Sequence, residues 1–191
     1  MSLILLGALA LAVVVGAFIF NRLIAKRQMV NNGWADIDVQ LKRRADLVPQ
    51  LVAAVRGYAA HERQLFEEVA ERRSAALAAG DNPARRGAAE SELSKPVSRL
   101  IAVAEGYPEL KASQNFLDLQ NALADTEDKI EMARRFYNGA VRELNILVES
   151  FPSNAIAGVF GVHKRSFFEI GAGDRAVPQV SAVPQANVSP S

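Results

Sequence analysis

Residues 116–151 read FLDLQNALADTEDKIEMARRFYNGAVRELNILVESF. Phe116, Leu123, Ile130, Tyr137, Leu144 and Phe151 recur every seven residues, and Leu119, Thr126, Ala133, Ala140 and Leu147 follow the first five by three. Two such rows lie on one face of an α-helix and must be buried together, because a continuous stripe of large apolar groups does not stay wet. The small residues in the middle of the seam allow a second helix to approach closely there. The stretch predicts a helix of about 40 residues, roughly 60 Å long, closed by Pro152.

The same period runs through the first half of the chain. Val30, Ile37, Leu51, Tyr58 and Leu65 occupy one position, and Trp34, Leu41, Val48, Val55 and Val69 the other, with Arg44, Glu62 and Arg72 as exceptions. This stripe predicts a helix over residues 25–79, kinked at Pro49 where a backbone donor is missing. Gly80-Asp81-Asn82-Pro83 ends it and starts a second helix, since a capping Asp or Asn before a first-turn proline is a start signal. That helix, 83–105, turns Leu93, Val97, Leu100, Ile101 and Ala104 inward and stops at Gly106-Tyr107-Pro108. A short apolar helix over 153–160, capped by Ser153 or Asn154, follows the long one, and Phe167 and Phe168 dock back on the bundle.

Residues 3–20, LILLGALALAVVVGAFIF, hold no charge and span roughly 27 Å as a helix, the thickness of a bilayer's hydrocarbon. Arg22 lies just beyond and can snorkel. A cleaved signal peptide would need a basic n-region and a small-residue cleavage site. No Lys or Arg precedes the run, and FIFNR is a poor cleavage context, so the segment is read as an uncleaved anchor. Arg22, Lys26, Arg27, Lys42, Arg43 and Arg44 follow it, which by the positive-inside rule places the rest of the chain in the cytoplasm.

The fold class is therefore all-α: a single N-terminal transmembrane helix, then an elongated antiparallel bundle of three long helices plus a short C-terminal one. Residues 1–24 form the anchor and 25–170 the bundle. Residues 171–191, with Pro178, Pro184 and Pro190 and no periodicity, read as a disordered tail.

Composition narrows the chemistry. Of 191 residues, 50% are hydrophobic and 23% charged, which excludes both a disordered polar chain and a multispan protein. Lys and Arg number 22 against 21 Asp and Glu, so nothing draws the chain to nucleic acid. With no cysteine and two histidines, disulfides, thiolate nucleophiles, iron–sulfur clusters and histidine-rich metal sites are removed. No cofactor, metal or catalytic residue is assigned.

Several runs carry a resemblance. They are LKRRADLVPQLV (41–52), GYAAHE (57–62), EGYPELKASQNFLDLQ (105–120), Thr126-Glu127, Tyr137-Asn138, and FPSNAIAGVFG (151–161) with FFE (167–169). In this order, over residues 31–169, they resemble the LemA family. The resemblance implies a bacterial single-span membrane protein with an all-helical bundle and no established biochemical activity.

The remaining chemical candidates are thin. His61-Glu62 has Leu65 where a zinc protease needs its second histidine. A phosphate-accepting role for His61 lacks any Gly-rich nucleotide segment, and a solvated helix-surface histidine is the simpler reading. His163, Ser153-Asn154 and Tyr137-Asn138 have no nucleophile-and-base partner nearby, and Gly158–Gly161 lacks the lysine and strand of a phosphate cradle. Arg44 stands out, because an unpaired charge in an apolar stripe is costly. Either it pairs with an acid such as Glu127 on the third helix, or the stripe is open there.

Two functional classes follow. The favoured one is a membrane-anchored scaffold or adaptor, not an enzyme, that works through protein–protein contacts. Its partners are the bilayer, through residues 3–20, and unidentified proteins, with self-association through Val30, Trp34, Ile37 and Leu41 if no segment of the chain covers that stripe. The alternative is an enzyme or signalling protein whose site assembles only in three dimensions around His61.

Overall fold

The computed structural model describes residues 1–170; the tail expected over 171–191 lies outside the described residues. Six helices run in the order α1 (Ser2–Arg56), α2 (Arg63–Ala78), α3 (Pro83–Glu105), α4 (Pro108–Lys111), α5 (Gln114–Glu149) and α6 (Ser153–Val159), with no strand among the described residues. The start of α3 is as the sequence requires, with Asn82 Oδ1 accepting from the Arg85 N–H at 3.1 Å and Pro83 in the first turn.

The backbone of the molecule is the antiparallel pair α1 and α5. Lys26 pairs with Glu143, Gly33 touches Phe136, and Arg43 pairs with Asp125, so the two helices step past each other in constant register. Gly33 lets the helices approach closely here: a Cβ would sit 3.0 Å from Phe136 Cδ1 and 3.2 Å from Tyr137 Cα, so a neighbour would have to give by a few tenths of an ångström. Phe116, Leu123, Ile130, Tyr137 and Leu144 are buried as the seven-residue repeat demands. Phe151 is not, being 86% exposed just past the end of α5.

The first stripe divides differently from the sequence expectation. α1 passes through Pro49 and ends at Arg56, and the chain reverses over residues 57–62, so α2 folds back along α1. The reason Pro49 is tolerated is tertiary. A proline leaves the carbonyl four residues before it without its helical donor, and that carbonyl, Ala45 O, accepts from Arg73 Nε of α2 at 2.6 Å. At the turn, the Arg56 guanidinium lies over the Phe66 ring at 5.4 Å, fixing where α2 begins.

Two apolar cores result. The first, Val48, Leu51 and Val55 of α1 with Leu65, Val69, Leu93, Leu100, Phe116 and Leu123, is a four-helix section of α1, α2, α3 and α5. The second, nearer the N-terminal segment and so the proximal core where the first is the distal one, joins Leu23, Val30, Ile37 and Leu41 to Ile130, Tyr137, Val141, Leu144, Ala157 and Phe168. Its cover comes from α5, α6 and the extended segment 162–170.

The stripe Val30, Trp34, Ile37 and Leu41 is therefore interior. Val30, Ile37 and Leu41 are at most 2% exposed, and Trp34 packs edge-on against Phe168 at 5.6 Å and tilted against Tyr137 at 5.7 Å. This corrects the expectation of an uncovered face available for self-association: the covering segment is residues 162–170, which carries no helical period. Leu41→Asp should consequently destabilise the bundle by several kcal/mol, as much as Ile130→Asp, because either buries a charge without a partner. Thermal melting of the two variants checks this; a Leu41→Asp protein as stable as the parent would mean the stripe is open.

Candidate functional site

Arg44 lies between the two cores, one turn from Leu41 on one side and Val48 on the other. It is 2% exposed, and its guanidinium is held by three groups. Nη1 donates to Glu90 Oε2 at 3.3 Å, Nη2 donates to Ser94 Oγ at 2.7 Å, and Nε lies 2.8 Å from Glu127 Oε1. Glu90 is 1% exposed and also accepts from Arg86 Nε at 3.2 Å, four residues back on α3. Beside them on α5, Thr126 is fully buried with its hydroxyl donating to Ala122 O at 2.7 Å. A polar layer of two guanidiniums and two carboxylates thus separates the cores and ties α3 to both long helices.

Burial pushes the Glu90 carboxyl above its ordinary range, opposed by the adjacent Arg44 and Arg86 guanidiniums. A carboxyl of that kind can serve as an acid in an active site if substrate reaches it. Here the layer borders a shallow cleft of about 420 Å³ between α3 and α5, lined by Val97, Ile101, Gln120 and Leu123 together with Arg44 and Glu127. Arg44 donates hydrogen bonds to Glu90 and Ser94 and its Nε, which makes no hydrogen bond, lies within ion-pair distance of Glu127, so the guanidinium charge is paired on both sides and the arrangement locks helices in register.

A second polar arrangement holds the segment 162–170 against α5. Asn138 Oδ1 accepts from the Phe168 N–H at 2.9 Å while its Nδ2 donates to Phe168 O at 3.0 Å. Asn145, seven residues later, grips Arg165 in the same two-bond way, at 2.9 and 3.0 Å. Tyr137 Oη donates to Ser166 O at 2.8 Å, and Arg134 Nη1 to Ile170 O at 3.2 Å. Burial raises the Tyr137 hydroxyl to about 12, so it remains a donor throughout the physiological range. These side chains do for an extended segment what a neighbouring strand would do, satisfying its backbone. On the far side the segment meets α3, where a Cβ at Gly87 would lie 2.2 Å from Glu169 O.

The residues singled out in the sequence distribute accordingly. Arg44 and Glu127 are brought together, and Tyr137 and Asn138 serve the clamp. Ser153 Oγ lies 2.6 Å from Leu147 O and 2.9 Å from Ser150 O, so its hydroxyl serves the end of α5, while α6 itself has no side-chain cap. His61 is exposed in the turn between α1 and α2, and His163 is exposed just after α6, at the opposite end of the long pair. Among the described residues no three His, Asp or Glu side chains are placed to hold a metal.

Glu90, Arg86, Asn145 and Gly87 escaped the sequence reading. Glu90 falls on the row that continues to Leu93 and Val97, and Asn145 follows Asn138 by one heptad, so both had a periodic signal.

Residues 33–181 match the sequence profile of the LemA family, which takes in the polar layer, the clamp and the segment it holds. The chain belongs to the LemA family. Among its relatives, the magnetosome protein MamQ 2 of Paramagnetospirillum magneticum is 24% identical over 169 residues, 75% of this chain and 62% of its own. MamQ of Magnetospirillum gryphiswaldense is 23% identical over 174 residues, 76% of this chain and 64% of its own. Protein LemA of Metamycoplasma hominis is 22% identical over 149 residues, 78% of this chain and 68% of its own. The chain spans less than two thirds of the length of the MamQ relatives. The N-terminal part of α1 of this LemA-family chain is long and apolar enough to cross a membrane, and none of that stretch is buried in the fold.

Proposed function

We propose that this LemA-family chain is a membrane-tethered helical scaffold that stands on the cytoplasmic face and acts through protein–protein contacts. The observation that carries the reading is the continuity of α1. One helix holds the apolar run of residues 3–20 and, without a break, the buried positions Leu23 to Val55. From residue 25 to Arg56 it extends about 48 Å, so the bundle is a stiff post projecting from the membrane with no linker at its base. The polar layer and the asparagine clamp support the same reading, since the layer ties α1, α3 and α5 together through ion pairs and the clamp spends its donors and acceptors on the backbone of residues 162–170. Met132 and Phe136, one turn apart on α5, are 57% and 48% exposed and offer apolar contact to a partner.

A photo-crosslinker placed at Met132 or Phe136 in the full chain, activated in native membranes, should give discrete adducts with other proteins. No adduct at either position, together with loss of cellular function on His61→Gln in a protein that stays folded, would instead favour an enzyme or signalling site at His61. The orientation rests on Arg22, Lys26 and Arg27 following the apolar run. A reporter active only outside the cytoplasm, fused after Ser191, should stay silent, and a strong signal would reverse the topology.

A further inference from the structure

α6 is seven residues long, yet it sits at a particular depth. Counting from the Lys26–Glu143 pair, six residues forward along α5 reach Glu149 and six back along α1 reach Phe20, because both helices rise equally per residue. The end of α5 is therefore level with the last residue of the apolar run. The chain turns there and lays α6 against α1, with the rings of Phe20 and Phe160 4.4 Å apart. One side of α6 is interior, with Ser153 and Ala157 buried and Ile156 packed on the proximal core. Around the other, Phe151, Val159 and Phe160 are 86%, 80% and 56% exposed.

Exposed aromatic and branched side chains continuous with an apolar anchor are half of an interfacial signature; the other half is charge. Residues 1–27 and 142–165, which make up this end of the molecule, carry six cations, Arg22, Lys26, Arg27, Arg142, Lys164 and Arg165. Against them stand two carboxylates, Glu143 and Glu149, already paired with Lys26 and Lys164. Apolar groups ringed by net positive charge suit the boundary between headgroups and acyl chains in an anionic leaflet, where the rings are sheltered and the cations meet lipid phosphates.

We propose that α6, through Phe151, Val159 and Phe160, is a second membrane contact seated in the anionic leaflet from which the bundle projects. The proposal rests on residues 3–20 spanning the bilayer. With α1 as one point of attachment and α6 as the other, the bundle cannot turn freely about the anchor, so the same faces stay turned toward partners and toward lipid.

The natural chain has no cysteine, so single environment-sensitive labels can be introduced at Leu11, Val39 and Val159, all exposed positions. The full chain is placed in vesicles of phosphatidylcholine with phosphatidylglycerol. Iodide quenching at residue 159 should be several-fold weaker than at residue 39, and lipids carrying a quencher near the headgroup should quench 159 but not 39. Lipids quenched deep in the acyl region should quench residue 11. Replacing phosphatidylglycerol by phosphatidylcholine should reduce the lipid quenching at 159 several-fold while leaving residue 11 unchanged. If residue 11 is deep while 159 is as open to iodide as 39, the second contact is wrong and the span stands. If residue 11 is also open to iodide, the span itself fails. Shielding of 159 without lipid quenching would show that another protein or a second copy covers α6, and would overturn the proposal, as would quenching indifferent to lipid charge.

Discussion

Arg44→Ala is expected to destabilise the bundle by about 3–5 kcal/mol at neutral pH, the usual cost of breaking a buried ion pair by deleting one partner. That is a large part of the stability of a domain this size. The cost arises on Glu90, which is 1% exposed and would keep only Arg86. The effect should depend on pH in a definite direction. Burial raises the Glu90 carboxyl above its unfolded value, so the folded state holds the proton more tightly than the unfolded one. The penalty for ionising it is absent below the unfolded pKa and grows as pH rises through the folded one. Arg44 opposes that rise, so its removal enlarges the penalty. The variant should therefore melt closer to the parent at about pH 5 than at about pH 8. Adding Glu90→Gln should recover part of the loss, because the carboxylate charge left without Arg44 is removed while the Gln carbonyl can still accept from Arg86 Nε. Equal destabilisation at both pH values with no recovery in the double variant would mean that Arg44 contributes packing alone.

Gly87→Ala should reverse the ordinary sign of its class. In an exposed helix interior the change gains about 1 kcal/mol. At Gly87 the new Cβ would stand 2.2 Å from Glu169 O and 3.0 Å from Glu169 C, which are backbone atoms that cannot rotate away. Either α3 lifts or the segment 162–170 shifts, and the expected net loss is about 1–3 kcal/mol. Because Phe168 is fully buried between the clamp and Trp34, the shift should loosen the proximal core more than the distal one. Hydrogen exchange will show it: the Phe168 amide, bonded to Asn138 Oδ1, should lose protection while the amides around Leu51 and Leu100 keep theirs. A stabilised protein with unchanged exchange would show that α3 does not touch the segment.

The sequence was most legible where one pattern had one solution. The seam of α5 from Phe116 to Leu144 and the bounds of α3 follow from a heptad and from cap residues, and both are found as read. Arg44 with Glu127 was legible for a related reason, since a charge in a stripe needs an acid on the facing stripe. Features that depend on contacts between distant segments were not. The apolar period runs on through Val55 and Leu65, so nothing in it marks the reversal at 57–62, and both sides of the turn contribute to one core. Pro49 reads as a kink only if Ala45 O is left wanting, and Arg73 supplies the missing donor from α2. The cover of the Val30–Leu41 stripe is an extended segment whose bonds are made by Asn138 and Asn145, and such bonds leave no mark in a hydrophobic period. Phe151 fits the heptad by number but lies beyond Glu149, where the helix has ended.

The central claim is that one unbroken helix joins the membrane segment to the bundle. Leu11 and Val39 are exposed, 28 residues apart on α1, and on opposite sides of the boundary near Phe20. Spin labels at these positions in the full chain, diluted with unlabelled protein in bilayers, report their separation by pulsed dipolar spectroscopy. A continuous helix requires a single narrow distribution corresponding to about 42 Å between the backbones. A broad distribution, or one centred at a much shorter distance, would show a hinge between anchor and bundle and would contradict the rigid post.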